Sequence, residues 1–496
     1  MKVMLCMPPG GYFAERWSQG RMMPALGLLY LAAVLEQNKV AVEVVPSDVL
    51  KLSWQNLARK IESDRPDIVG ITTTTENRFQ SFQFARIAKE AYPKTFVVMG
   101  GPHFRATNYD TLSHIHEIDA VVSGEAEMTL WELVQALETK DSLRKVNGLT
   151  FGENGNIIEN PPRKFVPDLN VLPMPARHLI PWEQYNFQLE VPGQGMQPAG
   201  NLMTSRGCPF CCTFCATPTN WGRKVRGLSP ENVLKEVELL VDQYQAKVLW
   251  FYDDTFNYNP QRTEKICDLL IERRLDVKWY CEVRVDLMTR ALTEKMAKAG
   301  MFYAGFGIES GSERVARDII KKKATLAQAY QFIDWAHEFG VSPNPFFIFS
   351  HPTETWAEAQ ETLAVIDNVK DRCEISVSIA HIYPGTELEK RAYKEGKLPQ
   401  DFTWTKEREK RVILLPAAQG HAPLYIDKLT WWQLSELIVR FTGTKTKKKR
   451  FSRARKIPGV LKNIYSFADV RRYTILFLVF SKYTLKKLMQ QIGGLR

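Results

Sequence analysis

Thr204-Ser-Arg-Gly-Cys208-Pro-Phe-Cys211-Cys212-Thr-Phe-Cys215 holds four of the chain's eight cysteines within eight positions, and Cys208, Cys212 and Cys215 stand in C-x3-C-x2-C spacing. Thiolates on so short a loop can converge on one metal centre, and iron–sulfur clusters are held by such thiolates. Three ligands on a four-iron cube leave one iron open to a substrate. A disulfide is disfavoured, because this 496-residue chain shows no secretory signal and clustered cysteines in a cytosolic enzyme point to metal or catalysis. Zinc asks for four convergent ligands, commonly two separated C-x2-C pairs. Cys208/Cys211 and Cys212/Cys215 have that pair spacing, but Cys211 and Cys212 are adjacent, with no spacer to bring both pairs round one ion.

The run R-G-C-P-x-x-C-x-F-C resembles the cluster loop of radical S-adenosylmethionine (SAM) enzymes. The resemblance implies that Cys208, Cys212 and Cys215 hold a [4Fe-4S] cluster whose open iron binds the amino and carboxylate groups of SAM. It leaves Cys211 outside the pattern and places the aromatic Phe214 beside SAM.

Composition sets the frame. A hydrophobic content of 45% with 11% aromatics supports sizeable cores rather than disorder, and the length suits two or three domains. The net charge of +11 is uneven: residues 445–496 hold 15 Lys/Arg against the single acid Asp469, a charge of +14, so the other residues sum to −3. The catalytic body therefore shows no sign of being a nucleic-acid binder. No stretch approaches the ~20 apolar residues of a membrane span.

Residues 1–137 alternate apolar runs (Val3–Met7, Val42–Pro46, Ile68–Thr72, Phe96–Gly100, Ala120–Gly124) with amphipathic segments, which predicts a parallel, doubly wound Rossmann-like sheet. Ligands of such sheets sit outside the carboxyl ends of the strands, here around Pro9, Gly10, Thr73, Thr74, Glu76, Gly100, Gly101, His103, Gly124 and Glu125. There is no G-x-G-x-x-G after the first strand, which disfavours a dinucleotide. With Pro24-x-Leu26-Gly27, Gly100-Gly-Pro-His103 and Gly124-Glu-Ala-Glu127, the segment resembles the cobalamin-binding domain that precedes the radical SAM domain in one large subfamily. The resemblance implies cobalamin contacts from those strand-end residues and from Leu26. The D-x-H-x-x-G motif that supplies a lower cobalt ligand in many cobalamin domains is absent. His103 is the one candidate for that role, and a hydrogen-bonding or packing role is the alternative.

Residues 138–198 read as a linker with a small hairpin turning at Asn154-Gly155. Residues 199–390 again alternate strands and helices. Six βα units predict a partial (β/α)6 barrel with its chemistry at the carboxyl ends of the strands, which is the shape of the radical SAM core. The polar residues at those ends match family motifs. Tyr252-Asp-Asp254-Thr-Phe256 resembles D-D-x-F, Cys281-Glu-Val-Arg284-Val-Asp286 resembles C-x-x-R-x-D, and Gly307-Ile-Glu309-Ser310-Gly311 resembles G-I-E-S-G. They imply SAM contacts by Asp254, Glu282, Arg284, Glu309 and Ser310. Helix capping by either Asp253 or Asp254, and an internal salt bridge among Glu282, Arg284 and Asp286, are the competing readings. Ser350-His-Pro352-Thr-Glu354-Thr355 stands where G-x-P-x-E-T is expected, with Ser350 and Thr353 replacing two small residues.

A mostly helical region, 391–444, is expected to close over the substrate, and a basic, amphipathic tail follows at 445–496. The tail runs from Lys445-Thr-Lys-Lys-Lys-Arg450 to Tyr473-Thr-Ile-Leu-Phe-Leu-Val-Phe480. That combination is expected to meet an anionic membrane surface, with a solvated charge run as the rival reading and RNA contact as the weaker alternative. The resemblance implies [4Fe-4S], SAM and cobalamin as cofactors, an external flavodoxin- or ferredoxin-like reductant, and a small-molecule or lipid substrate. The expected activity is methylation of an unactivated carbon through a 5′-deoxyadenosyl radical and methylcobalamin. Cyclisation or ring contraction of a porphyrin or lipid, and a non-catalytic iron–sulfur or zinc protein, are the rival readings. The expected location is cytoplasmic, at the inner face of the membrane if the tail docks there. No residue is assigned a catalytic role.

Overall fold

A computed structural model describes residues 1–10, 22–407, 422–444 and 467–493. The basic run at 445–456, read above as a membrane-facing segment, lies outside these residues. The N-terminal domain runs β1 (Lys2–Met7), α1 (Leu26–Gln37), β2 (Ala41–Pro46), α2 (Trp54–Asp64), β3 (Ile68–Thr72), α3 (Arg78–Ala91), β4 (Phe96–Gly100), α4 (Asn108–His114), β5 (Ala120–Val122) and α5 (Glu127–Thr139). The five strands are parallel in the order β2-β1-β3-β4-β5, so the winding reverses beside β1. Val3, Met4, Leu5 and Cys6 of β1 are all buried, because helices cover both faces. Leu28, Leu29, Ala32 and Leu133 pack on one side, and Leu57, Ile61, Phe82 and Phe84 on the other.

β6 (Leu149–Glu153) and β7 (Asn156–Glu159) form the expected hairpin, with left-handed φ at Asn154 and Gly155 as a two-residue turn requires. They do not stand apart in a linker. β6 pairs antiparallel with β5, so the hairpin extends the first sheet to seven strands.

β8 (Gln188–Val191) folds back antiparallel on β9 (Gly195–Leu202), the first barrel strand. After β9 come the two-residue strands β10 (Ser205–Arg206) and β11 (Arg226–Gly227), with α6 (Thr217–Trp221) between them. The barrel continues as α7 (Pro230–Asp242), β12 (Val248–Phe251), α8 (Pro260–Glu272), β13 (Lys278–Glu282), α9 (Arg290–Lys298), β14 (Met301–Glu309), α10 (Leu326–Glu338), β15 (Ser342–Phe349), α11 (Trp356–Val369) and β16 (Ser376–Ile379). The six strands β9-β12-β13-β14-β15-β16 are parallel in sequence order and β16 is left as an edge, so the barrel is open. Its helices start where the sequence supplies caps: Ser229, Asn259, Thr289, Thr325 and Thr355 each accept a backbone N–H from the first turn.

Alternation along the strands sorts the barrel's side chains. Leu249, Phe251, Trp279, Cys281, Ala304 and Phe306 enter the core between sheet and helices. Trp250, Tyr252, Tyr280 and Glu282 therefore face the lumen. α12 (Glu387–Lys394), α13 (Trp431–Thr444) and α14 (Phe467–Gly493) complete the described residues.

The two domains meet at a buried ionic knot. Glu125, just past β5, lies 2.7 Å from Arg226 and 3.2 Å from Arg206, and Arg206 lies 2.7 Å from Glu127. The Val166 amide also donates to Glu125 at 2.7 Å. All four side chains are at most 6% exposed. Burial alone would weaken the charge on Arg206; Glu127 and Glu125 more than offset this and hold its guanidinium well above the ordinary value. Tyr30, Trp221 and Phe165 pave the guanidinium faces. Glu125→Ala leaves two buried cations without their shared counter-charge, so it is expected to cost roughly 3–5 kcal/mol. Removing Glu338 from the exposed Arg290 pair is expected to change stability far less, because solvent screens that pair. Urea unfolding of the two variants checks the contrast.

Candidate cluster, SAM and corrin sites

The cluster loop leaves β9 at its carboxyl end and is pinned there by Asp253. That carboxylate accepts from the Thr204 amide at 3.1 Å and the Thr204 hydroxyl at 2.9 Å, and from the Ser205 hydroxyl. Neither Asp253 nor Asp254 caps α8; Asn259 does. Gly207, at φ 101, is needed because a Cβ there would lie 2.6 Å from the Lys224 carbonyl oxygen. The Cys208 amide then donates to the Gly222 carbonyl at 3.2 Å, and the Thr213 amide to that of Ile320 at 3.2 Å.

All eight cysteines are free thiols, with Cys208, Cys212 and Cys215 half-buried and Cys211 exposed. Burial pushes the Cys208 and Cys212 thiols up, and that of Cys215 up to about 12. Binding of a metal cluster by these thiols would therefore release protons. Among the described residues no three His, Cys, Asp or Glu side chains converge as a single-ion site would need. Three thiols on one short loop are a donor set of the kind that binds separate corners of an iron–sulfur cube. Cys211 instead receives a guanidinium contact from Arg223.

Of the residues implied for SAM, Asp254, Glu282 and Glu309 stand around the barrel mouth. The Thr217 hydroxyl donates to Asp254 at 2.8 Å, and loss of bulk water inside the mouth pushes its carboxyl up to about 6. Glu282 is open to the lumen but walled by protein. Restricted hydration, then the charges of Asp254 and Glu309, push it up to about 7. Glu309 sits at φ 70, a strained left-handed position, paired with Lys322 at 3.2 Å. Three carboxyl groups around one mouth suit a ligand that brings positive charge, as the ammonium and sulfonium of SAM do. Arg284 takes the internal option: its guanidinium makes two bonds of 2.9 Å to Asp286 and covers the ring of Phe210. Phe214 is half-buried and faces His351, ring centroids 5.9 Å apart.

Ser310 points away from the mouth. It is 1% exposed, and its hydroxyl meets Thr362 on α11 at 3.2 Å. Gly311 is required for the same reason, since a Cβ there would fall 2.7 Å from the Thr362 Cα. The G-I-E-S-G run thus sets Glu309 into the mouth and fastens β14 to α11.

The turn after β15 accounts for the departure seen in the sequence. Ser350 and Thr353 both hold left-handed backbone, φ 70 and 61, which glycine adopts freely. Their polar atoms offset the strain. The Ser350 hydroxyl donates to the Tyr425 carbonyl at 2.7 Å, the Thr353 amide to Asp427 at 3.0 Å, and Arg314 to the Thr353 carbonyl at 3.1 Å. This turn anchors residues 425–427 beside the barrel. Glu354 closes it by accepting from the Ser350 and His351 amides.

On the N-terminal domain the cobalamin candidates gather at the ends of β1, β3, β4 and β5. Among the described residues nothing lies within 4 Å of a Cβ placed on Gly10 or Gly27, the glycines beside Pro9 and Leu26. Gly101 must be glycine, because at φ 112 a Cβ would lie 2.5 Å from the Thr73 carbonyl oxygen. Among the described residues the buried Thr73 hydroxyl has no partner, while the Thr74 amide donates to Asn77 at 2.7 Å. Small residues, an orphaned hydroxyl and clear backbone suit a large, polar-edged cofactor such as a corrin. Gly100 lies at the end of β4, and a Cβ on Gly124 would meet Arg105.

Three of these residues are committed elsewhere. Glu125 belongs to the ionic knot, Glu76 accepts from the Tyr383 hydroxyl at 2.8 Å, and His103 is wholly buried between Phe104 and Trp404. Thr75 bonds the His103 Nδ1 at 3.1 Å, and burial holds its pKa well below the ordinary value. That geometry favours the packing reading of His103.

Glu282→Gln should raise the melting temperature of the cluster-free protein at pH 7.5 and have little effect at pH 5. A carboxyl whose pKa is raised to about 7 on folding loses stability as pH climbs from its unfolded value through that point. Equal shifts at both pH values contradict this.

A family model of the radical SAM superfamily matches residues 202–366, and one of the B12 binding domain matches residues 19–134. An uncharacterized methyltransferase of Pyrococcus horikoshii is 35% identical over 388 residues, 78% of this chain and 82% of that protein. The anaerobic magnesium-protoporphyrin IX monomethyl ester cyclase of Rubrivivax gelatinosus is 28% identical, over 71% of this chain and 62% of its own length. Among solved structures, the cobalamin-dependent SAM radical enzyme OxsB aligns with a TM-score of 0.70 at 18% identity, covering 99% of this chain and 75% of that one. TsrM from Kitasatospora setae aligns at 0.67 and 17%, covering 79% and 76%. Cluster loop, strand-end acids and an appended corrin-type sheet thus coincide with both family matches, and the chain belongs to the B12-binding radical SAM enzymes, whose cofactors are a [4Fe-4S] cluster, SAM and cobalamin.

Proposed function

We propose that the protein is a C-methyltransferase: Cys208, Cys212 and Cys215 hold the cluster, Asp254, Glu282 and Glu309 receive SAM, and the strand-end loops of the N-terminal domain present cobalamin. When bound, these cofactors supply a 5′-deoxyadenosyl radical that removes hydrogen from an unactivated carbon, and a methyl group to replace it. The protein's part is to position and to exclude water. The observation that carries this reading is the ionic knot. Arg206, two residues before Cys208, is bound to Glu125 and Glu127 at the end of the corrin-type sheet. The two cofactor cradles are therefore fastened to one another across a short seam, as methyl delivery to a radical centre demands. A cytidylyl-2-hydroxyethylphosphonate methyltransferase of Streptomyces wedmorensis, 26% identical over 84% of this chain, adds support. Cyclisation is the second reading, favoured by the likeness to the porphyrin ester cyclases.

The substrate proposed is apolar or planar. Trp250 and Tyr280 lie 4.7 Å apart at 35°, Tyr280 and Tyr303 5.6 Å apart, and Tyr252 is 5.1 Å from Trp250. This aromatic floor suits flat or hydrocarbon surfaces. Access from a membrane accords with α14, whose outward stripe exposes Phe467 (87%), Phe477 (69%) and Leu478 (50%) together with Arg471 and Lys482. Its Val479 is buried. No helix of the described residues is long and apolar enough to cross a membrane, so docking would be interfacial, at an inner membrane face.

Anaerobically reconstituted protein should form 5′-deoxyadenosine from SAM and pass labelled methyl into product. Cys212→Ala should abolish both, whereas deoxyadenosine without methyl transfer would support the cyclase reading. Phe477→Asp with Leu478→Asp should weaken sedimentation with phosphatidylglycerol-rich vesicles by at least about tenfold, given ~1.5–3 kcal/mol per buried apolar side chain. Unchanged sedimentation removes the membrane proposal and leaves the chemistry untouched.

A further inference from the structure

Of the three carboxyls around the barrel mouth, two are already held. Asp254 accepts from the Thr217 hydroxyl, and Glu309 pairs with Lys322. Glu282 makes no hydrogen bond or ion pair among the described residues, and its side chain is exposed although protein surrounds it. It projects into the lumen beneath the rim. A Cβ on Gly305, its neighbour on β14, would lie 3.4 Å from the Glu282 Cγ and 2.6 Å from the Phe346 Cζ.

Strand pairing stacks the residues around this carboxyl. Trp250, Tyr280 and Tyr303 share one rung of the sheet, and Glu282, Gly305 and Asn344 the next. Among the described residues the hydroxyls of Tyr252 and Tyr280 have no hydrogen-bond partner. Asn344 is 7% exposed; its Nδ2 donates to the Tyr303 hydroxyl, while its Oδ1 has no partner. The nearby cations are committed or remote. Arg284 is bound to Asp286 and Lys322 to Glu309. Lys278 shares the Glu282 face of β13 but lies at the amino end of that strand, roughly 13 Å away, near the end where Tyr303 donates to Glu374 at 3.3 Å. An anionic ligand at the level of Glu282 would therefore meet a carboxyl and no free cation. An ammonium there would meet that carboxyl, an unpaired amide oxygen and aromatic faces, and such attraction is strongest where water is excluded.

We propose that Glu282, Asn344 and the Trp250–Tyr280 floor form a substrate seat for a planar or hydrocarbon skeleton that bears a protonated nitrogen. The proposal rests on the reading of the lumen as the substrate space, and it adds a charge to the apolar or planar class given there. Glu282 then stands between SAM at the rim and substrate in the lumen. The rings hold the skeleton, and the carboxyl and the Asn344 Oδ1 accept from the nitrogen. A substrate whose buried end is a carboxylate or phosphate is excluded by the same charges.

The test titrates anaerobically reconstituted full-length enzyme, carrying cluster and cobalamin, with three probes of one shape: phenethylamine, 2-phenylethanol and 3-phenylpropionate. Calorimetry at pH 7 should show the amine binding at least about tenfold more tightly than the acid, with the alcohol between them. Amine binding should also release protons, because a cation draws a carboxyl held at about 7 towards its ionised form. Titration in two buffers of different ionisation enthalpy reads that release. Glu282→Gln should abolish the proton release and bring the amine close to the alcohol, and Trp250→Leu should weaken all three probes. Equal affinity for amine and acid overturns the proposal. So does a Glu282→Gln enzyme that loses affinity for SAM while binding the amine as before, since the carboxyl would then belong to SAM alone. Wild-type enzyme that shows this selectivity yet cleaves no SAM would sink the enzymatic reading and leave the seat standing, so the two failures are distinguishable.

Discussion

Two glutamates and two arginines sealed from water hold the molecule in its working shape. Each ion, taken alone, would be expelled from such a place, because dehydrating a charge costs several kcal/mol. Together they are tolerable only if the seam stays closed, with Arg206 between Glu125 and Glu127 and Arg226 on the other side of Glu125. The arrangement is a weak source of net stability and a strong source of specificity: slip of either domain strands a charge. Because Arg206 is two residues from Cys208 and Glu125 follows β5 of the other sheet, the knot ties the cysteine loop to the strand-end loops of the N-terminal domain rather than simply gluing domains.

A second set of contacts repeats this logic on the far side of the mouth. Tyr383 reaches Glu76, the Arg78 guanidinium donates to the Trp404 carbonyl at 2.7 Å, and the Trp404 amide donates to Asp110 at 2.8 Å. Trp404 also closes over His103. The region after the barrel thus grips the same strand-end loops from which a corrin would be presented. A domain seam clamped at both edges keeps the intervening space from closing or spreading, and reacting groups gain most from fixed separation.

Much of this is legible in the amino-acid sequence. Strand ends are marked by small residues and acids, the barrel helices by Ser, Thr and Asn caps, and the hairpin by Asn154-Gly155. What periodicity cannot supply is partner choice. Asp253 and Asp254 are neighbours in one motif, yet one pins the cluster loop and the other enters the mouth, and only the twist after β12 separates them. Glu125 and Glu76 resemble ligand contacts because they sit at strand ends. Tertiary partners far along the sequence, Tyr383 for Glu76 among them, claim them first. Ser310 misleads for a local reason: a motif matched as a unit hides that the chain turns at Glu309, φ 70, so that its neighbour Ser310 meets Thr362 instead.

The same distinction explains why departures from a motif need not weaken a site. Ser350 and Thr353 stand where glycine would relieve left-handed backbone, and a side chain there costs about 1–2 kcal/mol. Each side chain makes a connection that glycine could not, Ser350 to the Tyr425 carbonyl and the Thr353 hydroxyl as acceptor from Arg314 at 3.2 Å. The hydroxyl of Ser350 holds the Tyr425 carbonyl, and the Thr353 amide holds Asp427, which also pairs with Lys397. Glycine would keep the turn and the Thr353 amide contact but lose the tether to Tyr425. A strained turn that binds the segment beside the mouth exchanges local comfort for control over what borders the substrate space.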